Sequence, residues 1–184
     1  MWKTGSIEEL CEIEYGTRVV RKQEQGTQYP VYGGGGETFR IDRSNRSNRV
    51  VIARFGMSEQ CTRYVDGDFF LNDSGLTISP KSKELLQDYL NKVVLSLNKD
   101  IYKLGKGSAQ KNLDMPSFKK IKFSYPPLAE QQRIVAKLDA AFAEIDKALE
   151  NYSDAVRNVE MLFQNTLDEI FKNLDCSVNY LKLA

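Results

Sequence analysis

The stretch PPLAEQQRIVAKLDAAFAEIDKALENYSDAVRNVEMLFQNTLDEIFKNL, Pro126 to Leu174, decides the fold. Paired prolines block helix before them and are tolerated at a helix start, Glu130 supplies first-turn negative charge, and no further proline follows. A helix from about Leu128 to Leu174 is predicted. Its apolar positions form two heptad-spaced rows: Val135, Phe142, Leu149, Val156, Phe163 and Ile170, and Leu138, Ile145, Tyr152, Val159 and Thr166. Only Thr166 breaks the pattern. Glu144, Lys147, Glu150, Asp154, Arg157 and Glu160 occupy the other faces, which is how a coiled-coil seam is written. At about 1.5 Å rise per residue the helix is roughly 70 Å long, beyond the diameter of a small domain, so one face needs a partner from outside. A hairpin folded back on itself would need a breaker, and Asn151-Tyr152-Ser153-Asp154 offers neither Gly nor Pro.

Upstream of this helix the composition changes. Residues 1–124 hold 20 Lys/Arg against 15 Asp/Glu, a surplus of +5, while 125–184 hold 6 against 10, a balance of −4. An anionic partner is therefore expected at the first part. Arg49 to Arg54, Asp68 to Leu71 and Leu76 to Ile78 read as short strands, with turns at Gly33 to Gly36 and Asp66-Gly67. Lys83 to Ser96, with Leu85, Leu86, Tyr89, Leu90, Val93 and Val94, fits an amphipathic helix. The fold class is thus α+β: a globular domain over 1–124, then a long helix and tail over 125–184.

Several function classes are excluded. No run reaches the roughly 18 apolar residues of a membrane helix, and Met1-Trp2-Lys3-Thr4 opens no signal peptide, so a cytoplasmic protein is expected. Cys11, Cys61 and Cys176 are odd in number and form no CxxC pair, which leaves buried reduced thiols and neither a disulfide framework nor a zinc site. The sequence contains no His, and no carboxylates cluster with Lys as in a nuclease centre. Gly33 to Gly36 lacks a following Gly-Lys-Ser/Thr, and Gly105-Lys106-Gly107-Ser108 lacks the upstream Gly of a P-loop; both read as flexible turns where backbone can approach a phosphate or another chain. Tyr125-Pro126-Pro127-Leu128 lacks the flanking residues of an amino-methyltransferase site and reads as a linker. No metal, cofactor or catalytic residue is expected in this chain.

Two polar clusters carry the residue types that read DNA, Lys and Arg for phosphates and Arg, Asn or Gln for base edges. Arg40, Arg43, Asn45, Arg46, Asn48 and Arg49 form one. Lys99, Lys103, Lys106, Ser108, Gln110, Lys111 and Asn112 form the other. For each the competing reading is an ordinary solvated loop.

The junction points to a family. Gly107 to Leu113, then Ile121-Lys122-Phe123, then Pro126-Pro127-Leu128-Ala129-Glu130-Gln131-Gln132-Arg133-Ile134-Val135 resemble the end of a target-recognition domain running into the helix of type I restriction-modification specificity subunits. Trp2 with Gly5 to Leu10, and Pro30 to Gly36, echo the same family. The usual subunit carries two recognition domains and two such helices; one of each stands here, and Met1 with the full helix favours a natural half-sized subunit over a fragment. The resemblance implies a non-catalytic DNA-recognition subunit with double-stranded DNA as partner. It also implies modification subunits that bring S-adenosylmethionine and methylate adenine, and restriction subunits that join them. Rebuilding the two-domain arrangement calls for a C2 homodimer through antiparallel helices, the two heptad rows forming the interface. The alternative is an interaction module that binds modification subunits without reading DNA.

Overall fold

A computed structural model describes residues 1–22, 24 and 26–177, with side chains described through residue 172. The chain divides into two compact units, Met1–Val135 and a second that begins at Ala136. The first contains β1 (Lys3–Ser6), α1 (Ile7–Leu10), β2 (Cys11–Tyr15), β3 (Tyr29–Gly33), β4 (Gly36–Ile41), β5 (Arg46–Ala53), β6 (Thr62–Leu71) and β7 (Gly75–Pro80). There follow α2 (Gln87–Ser96), α3 (Asn98–Lys103), the short β8 (Gly105–Lys106) and β9 (Asn112–Leu113), α4 (Met115–Lys119) and β10 (Lys122–Tyr125). Helix α5 then runs from Leu128 to Ser177 without interruption.

Among the described residues the main sheet has the order β2-β7-β5-β6-β3-β4, antiparallel except where β3 runs parallel to β6. Strand β1 pairs with β10, so the two ends of the first unit close on each other. The sheet buries Val50, Ile52, Leu76 and Ile78 against Leu90 and Val94 of α2, Ile101 of α3 and Phe118 of α4. Alternation places Cys11 and Ile13 of β2 and Leu76 and Ile78 of β7 on this core, while the equally buried Thr77 faces Glu14 and Arg46 on the other side.

Three local expectations need correction. Asp66-Gly67 is not a turn. It lies inside β6 opposite a bulge in β5, where Gly67 (φ +70°) and Asn48 (φ +52°) both take left-handed backbone and the Gly67 N–H donates to Asn48 Oδ1 at 2.8 Å. Glycine there serves a strand irregularity, which local sequence cannot distinguish from a chain reversal. Helix α2 starts at Gln87, four residues after the predicted Lys83, because the Leu86 N–H is taken by the Gln131 side chain at 2.8 Å. The Gly33 to Gly36 run does turn the chain between β3 and β4, but it is tightly packed rather than flexible. A Cβ on Gly33 would meet Ser74 Oγ at 2.3 Å, one on Gly34 would meet the Phe55 carbonyl at 2.8 Å, and Gly36 has φ +116°. Close approach of the same chain thus favours glycine at positions 33 and 34 and left-handed backbone at 36, and only Gly35 has open space.

The junction motif has a structural task. Gln131 is fully buried; its Oε1 accepts from Leu86, and its Nε2 donates to the carbonyls of Glu84 at 2.7 Å and Pro126 at 2.8 Å. Tyr89 adds a hydrogen bond from its hydroxyl to the Ser124 carbonyl at 3.1 Å. Ile134 and Val135 pack partly against the core of the first unit. No described helix is long and apolar enough to cross a membrane.

Candidate nucleic-acid interface

Folding splits the Arg40 to Arg49 stretch into two places. Arg40, on β4, pairs with Glu37 at 3.1 Å and donates to the Gln28 carbonyl at 3.2 Å. Arg43 pairs with Glu24 and lies over the Phe70 ring, 4.9 Å from its centroid. Both side chains remain about half exposed.

The other four residues, at or just before the start of β5, bond to β2, β6 and β7 or to β5 itself. Asn45 exchanges hydrogen bonds with the backbone of Leu71, accepting at 2.7 Å and donating at 3.3 Å. Arg46 pairs with Glu14 at 3.2 Å and donates to Thr77 Oγ1, the Asn45 carbonyl and the Tyr15 carbonyl. Glu14 in turn accepts from Thr77 and Ser79. Arg49 donates to the carbonyls of Ser47 and Asn48. The Asn48 carbonyl also accepts from the buried Asn91, which ties α2 to the β5 bulge. These side chains line a polar cleft of about 520 Å³ with Glu14, Ser47, Gln87 and Asp88. A polar stretch that alternates between strand faces thus spends much of its hydrogen-bonding capacity on the fold itself.

The second predicted cluster is gathered more closely. Ser108 and Gln110 lie in the exposed β8–β9 loop, whose tight reversal at Gly107 (φ +116°) leaves no room for a Cβ, 2.3 Å from the Gln110 carbonyl. Lys111 covers the Tyr102 ring at 4.1 Å, and Asn112 Oδ1 accepts from the Gly56 N–H at 3.4 Å. Lys106 pairs with Asp114 at 3.0 Å. The Ser117 hydroxyl, first, and then Lys106 hold the Asp114 carboxyl below its ordinary value. On α3, Lys103 pairs with Asp100 at 2.9 Å and Lys99 is exposed.

Sequence reasoning passed over the loop on which this hairpin rests. The Met57 N–H donates to the Lys111 carbonyl and the Leu113 N–H to the Arg54 carbonyl, both at 2.9 Å. Arg54 itself lies over two exposed rings, 4.8 Å from the centroid of Tyr15 and 4.6 Å from that of Phe55. Tyr15 connects the regions, since its carbonyl accepts from Arg46 and its ring supports Arg54. A lone Arg-Phe pair at a strand end gives no local signal, because Tyr15 arrives from a distant strand.

On α5 the rows expected at a helix interface are exposed. Phe142, Ile145, Leu149, Tyr152, Val156, Val159, Phe163 and Ile170 keep between 42% and 71% of their surface in solvent. Leu138 is half-buried, Val135 packs partly on the first unit, and Thr166 is exposed with its hydroxyl bonded back to the Leu162 carbonyl at 2.8 Å. Leu162 and Met161 are further exposed apolar residues outside the two rows. Cys11 and Cys61 are buried free thiols; Cys176 lies outside the described side chains. No cluster of potential metal ligands occurs among the described residues.

Comparison with known proteins agrees with this architecture. The chain resembles the type I restriction-modification S subunit from M. genitalium, with TM-score 0.70 and 20% identity over 80% of this chain and 40% of that one. A chain from the structure titled for complex assembly and conformational transition of the type I R-M system matches at TM-score 0.71 and 20% identity, over 92% of this chain and 45% of that one. The HsdS subunit from Thermoanaerobacter tengcongensis matches at 0.57 and 19%, over 79% and 38%. The chain therefore spans less than half the length of these structures. The family model described as the type I restriction modification DNA specificity domain matches residues 1–152. That match covers the sheet domain, the junction and the first half of α5, and the chain belongs to the family of type I restriction-modification DNA specificity domains.

Proposed function

We propose that this chain is the DNA-recognition subunit of a type I restriction-modification system and acts as a C2 homodimer through α5 in the cytoplasm. The observation that carries the dimer is the exposed double row on an unbroken helix. An antiparallel pair centred near Asp154 sets Tyr152 against Val156 of the second copy, Leu149 against Val159 and Ile145 against Phe163, so that each layer joins the two rows. Ala141, Ala148 and Ala155 recur every seven residues beside the seam and permit close approach.

Each first unit reads one half-site, and the paired helices set the separation. Two identical readers on a twofold axis take inverted half-sites, hence an interrupted palindrome. Methylation belongs to modification subunits carrying S-adenosylmethionine, which dock on the dimer, with restriction subunits as further partners. The rival is an interaction module that binds modification subunits without reading DNA; the ion pairs that occupy Arg40, Arg43 and Arg46 are the observation in its favour. Co-expression with modification subunits and mapping of methylated adenines separates them. Symmetric interrupted sites support the homodimeric reader, asymmetric sites require a different second chain, and methylation indifferent to neutralisation of Arg40, Arg43 and Arg49 favours the rival.

A further inference from the structure

Arginines that look alike in the sequence differ in what their donors already bond. Arg40, Arg43 and Arg46 each meet a carboxylate, and Arg49 turns to backbone carbonyls. Among the described residues Arg54 meets neither: its guanidinium lies over the rings of Tyr15 and Phe55, which supply cation–π attraction. Its main chain is fixed from two sides, the N–H donating to the Ser74 carbonyl and the carbonyl accepting from Leu113, each at 2.9 Å. The Gly34 turn packs against the neighbouring Phe55 carbonyl and stiffens the same spot.

A guanidinium whose carbon sits over aromatic rings is held there without a carboxylate partner, so its donor edge remains for a ligand. That edge is a rigid donor fork, matched to the paired acceptors O6 and N7 of guanine in the major groove. The same fork also grips a phosphate bidentately, and the two contacts differ in that only the base contact depends on sequence. We propose that Arg54, backed by Tyr15 and Phe55, is a specificity-determining residue that reads a guanine in the DNA half-site. This rests on the DNA-reading function proposed above and names the group that performs it.

The test is selection of duplexes from a randomised half-site library by the full chain with its modification subunits, comparing wild type, Arg54→Lys, Arg54→Ala and Tyr15→Leu. Wild type is expected to enrich a motif with a fixed guanine. Both Arg54 variants are expected to lose about ten- to a hundredfold of the preference at that one position, leaving the other positions intact. Tyr15→Leu is expected to erode it severalfold. Arg54→Lys keeps the charge and stem, so it carries the test should Arg54→Ala fold poorly. A motif unchanged in Arg54→Lys overturns the inference while DNA reading stands, as does a uniform loss at every position. A wild type that enriches no sequence overturns the DNA-reading function and this inference with it.

Discussion

Single residues here do structural work that their type conceals. Gln131 satisfies three backbone groups, Leu86 N–H and the carbonyls of Glu84 and Pro126, from a position without solvent. Gln131→Leu fills the space but leaves these groups unpaired, so a loss of about 3 kcal/mol is expected in denaturant unfolding of the chain, since each buried orphan costs roughly 1–3 kcal/mol. An undiminished midpoint would mean that the three groups find other partners. Cys11 gives a pH signature. Burial, only slightly opposed by Lys81, pushes its thiol from 9.0 up to about 12. A thiol whose folded value is raised holds its proton after the unfolded chain has released one. Its contribution is thus complete below pH 9.0 and is lost as pH rises toward about 12. Alkylation of Cys11 at pH 8 is expected to be far slower in the native protein than in urea, read by peptide mass mapping.

Elements carry the next set of consequences. In α5, replacing Ile145 and Val159 together by Lys would place charges in layers that the proposed dimer shares between copies, and a shift from dimer to monomer mass is expected in light scattering. The antiparallel register makes a second demand. In the proposed dimer Asp146 would fall beside Glu160 of the other copy on both ends of one flank, a like-charge contact. Asp146→Lys converts it into attraction, so tighter dimerisation is expected in sedimentation equilibrium; weaker dimerisation would refute this register. The helix was legible in the sequence because heptad spacing over many turns is a strong periodic signal, and the missing Gly or Pro ruled out a hairpin. Strands β5 and β7 were legible from their β-branched runs. The Asn48–Gly67 bulge and the late start of α2 were not, since both depend on partners more than fifteen residues away. The site was only partly legible for the same reason: lysines and arginines announce their charge, whereas whether a carboxylate already holds them, as Glu24 holds Arg43, is settled by tertiary structure.

At the level of the whole molecule the two units divide the labour, one carrying the basic surplus and the other the exposed apolar rows. Binding of the proposed dimer to a DNA duplex is expected to fall steeply with added salt, because phosphate contacts release counterions, and fluorescence anisotropy across a salt series measures the slope. Neutralising Lys99, which is exposed and has no carboxylate holding it among the described residues, should flatten that slope for every sequence alike if it meets a phosphate.

The unbroken course of α5 restricts how relatives of this protein can diverge. One residue inserted into a helix swings everything beyond it by about 100°, which would turn the apolar stripe away from its mate. Insertions of about 7, 11 or 18 residues bring the stripe back to within about 20° of its facing, and at about 1.5 Å per residue they lengthen the helix by roughly 10, 16 or 27 Å. In the proposed dimer the gap between half-sites is therefore expected to change in coarse steps, several base pairs at a time at about 3.4 Å apiece.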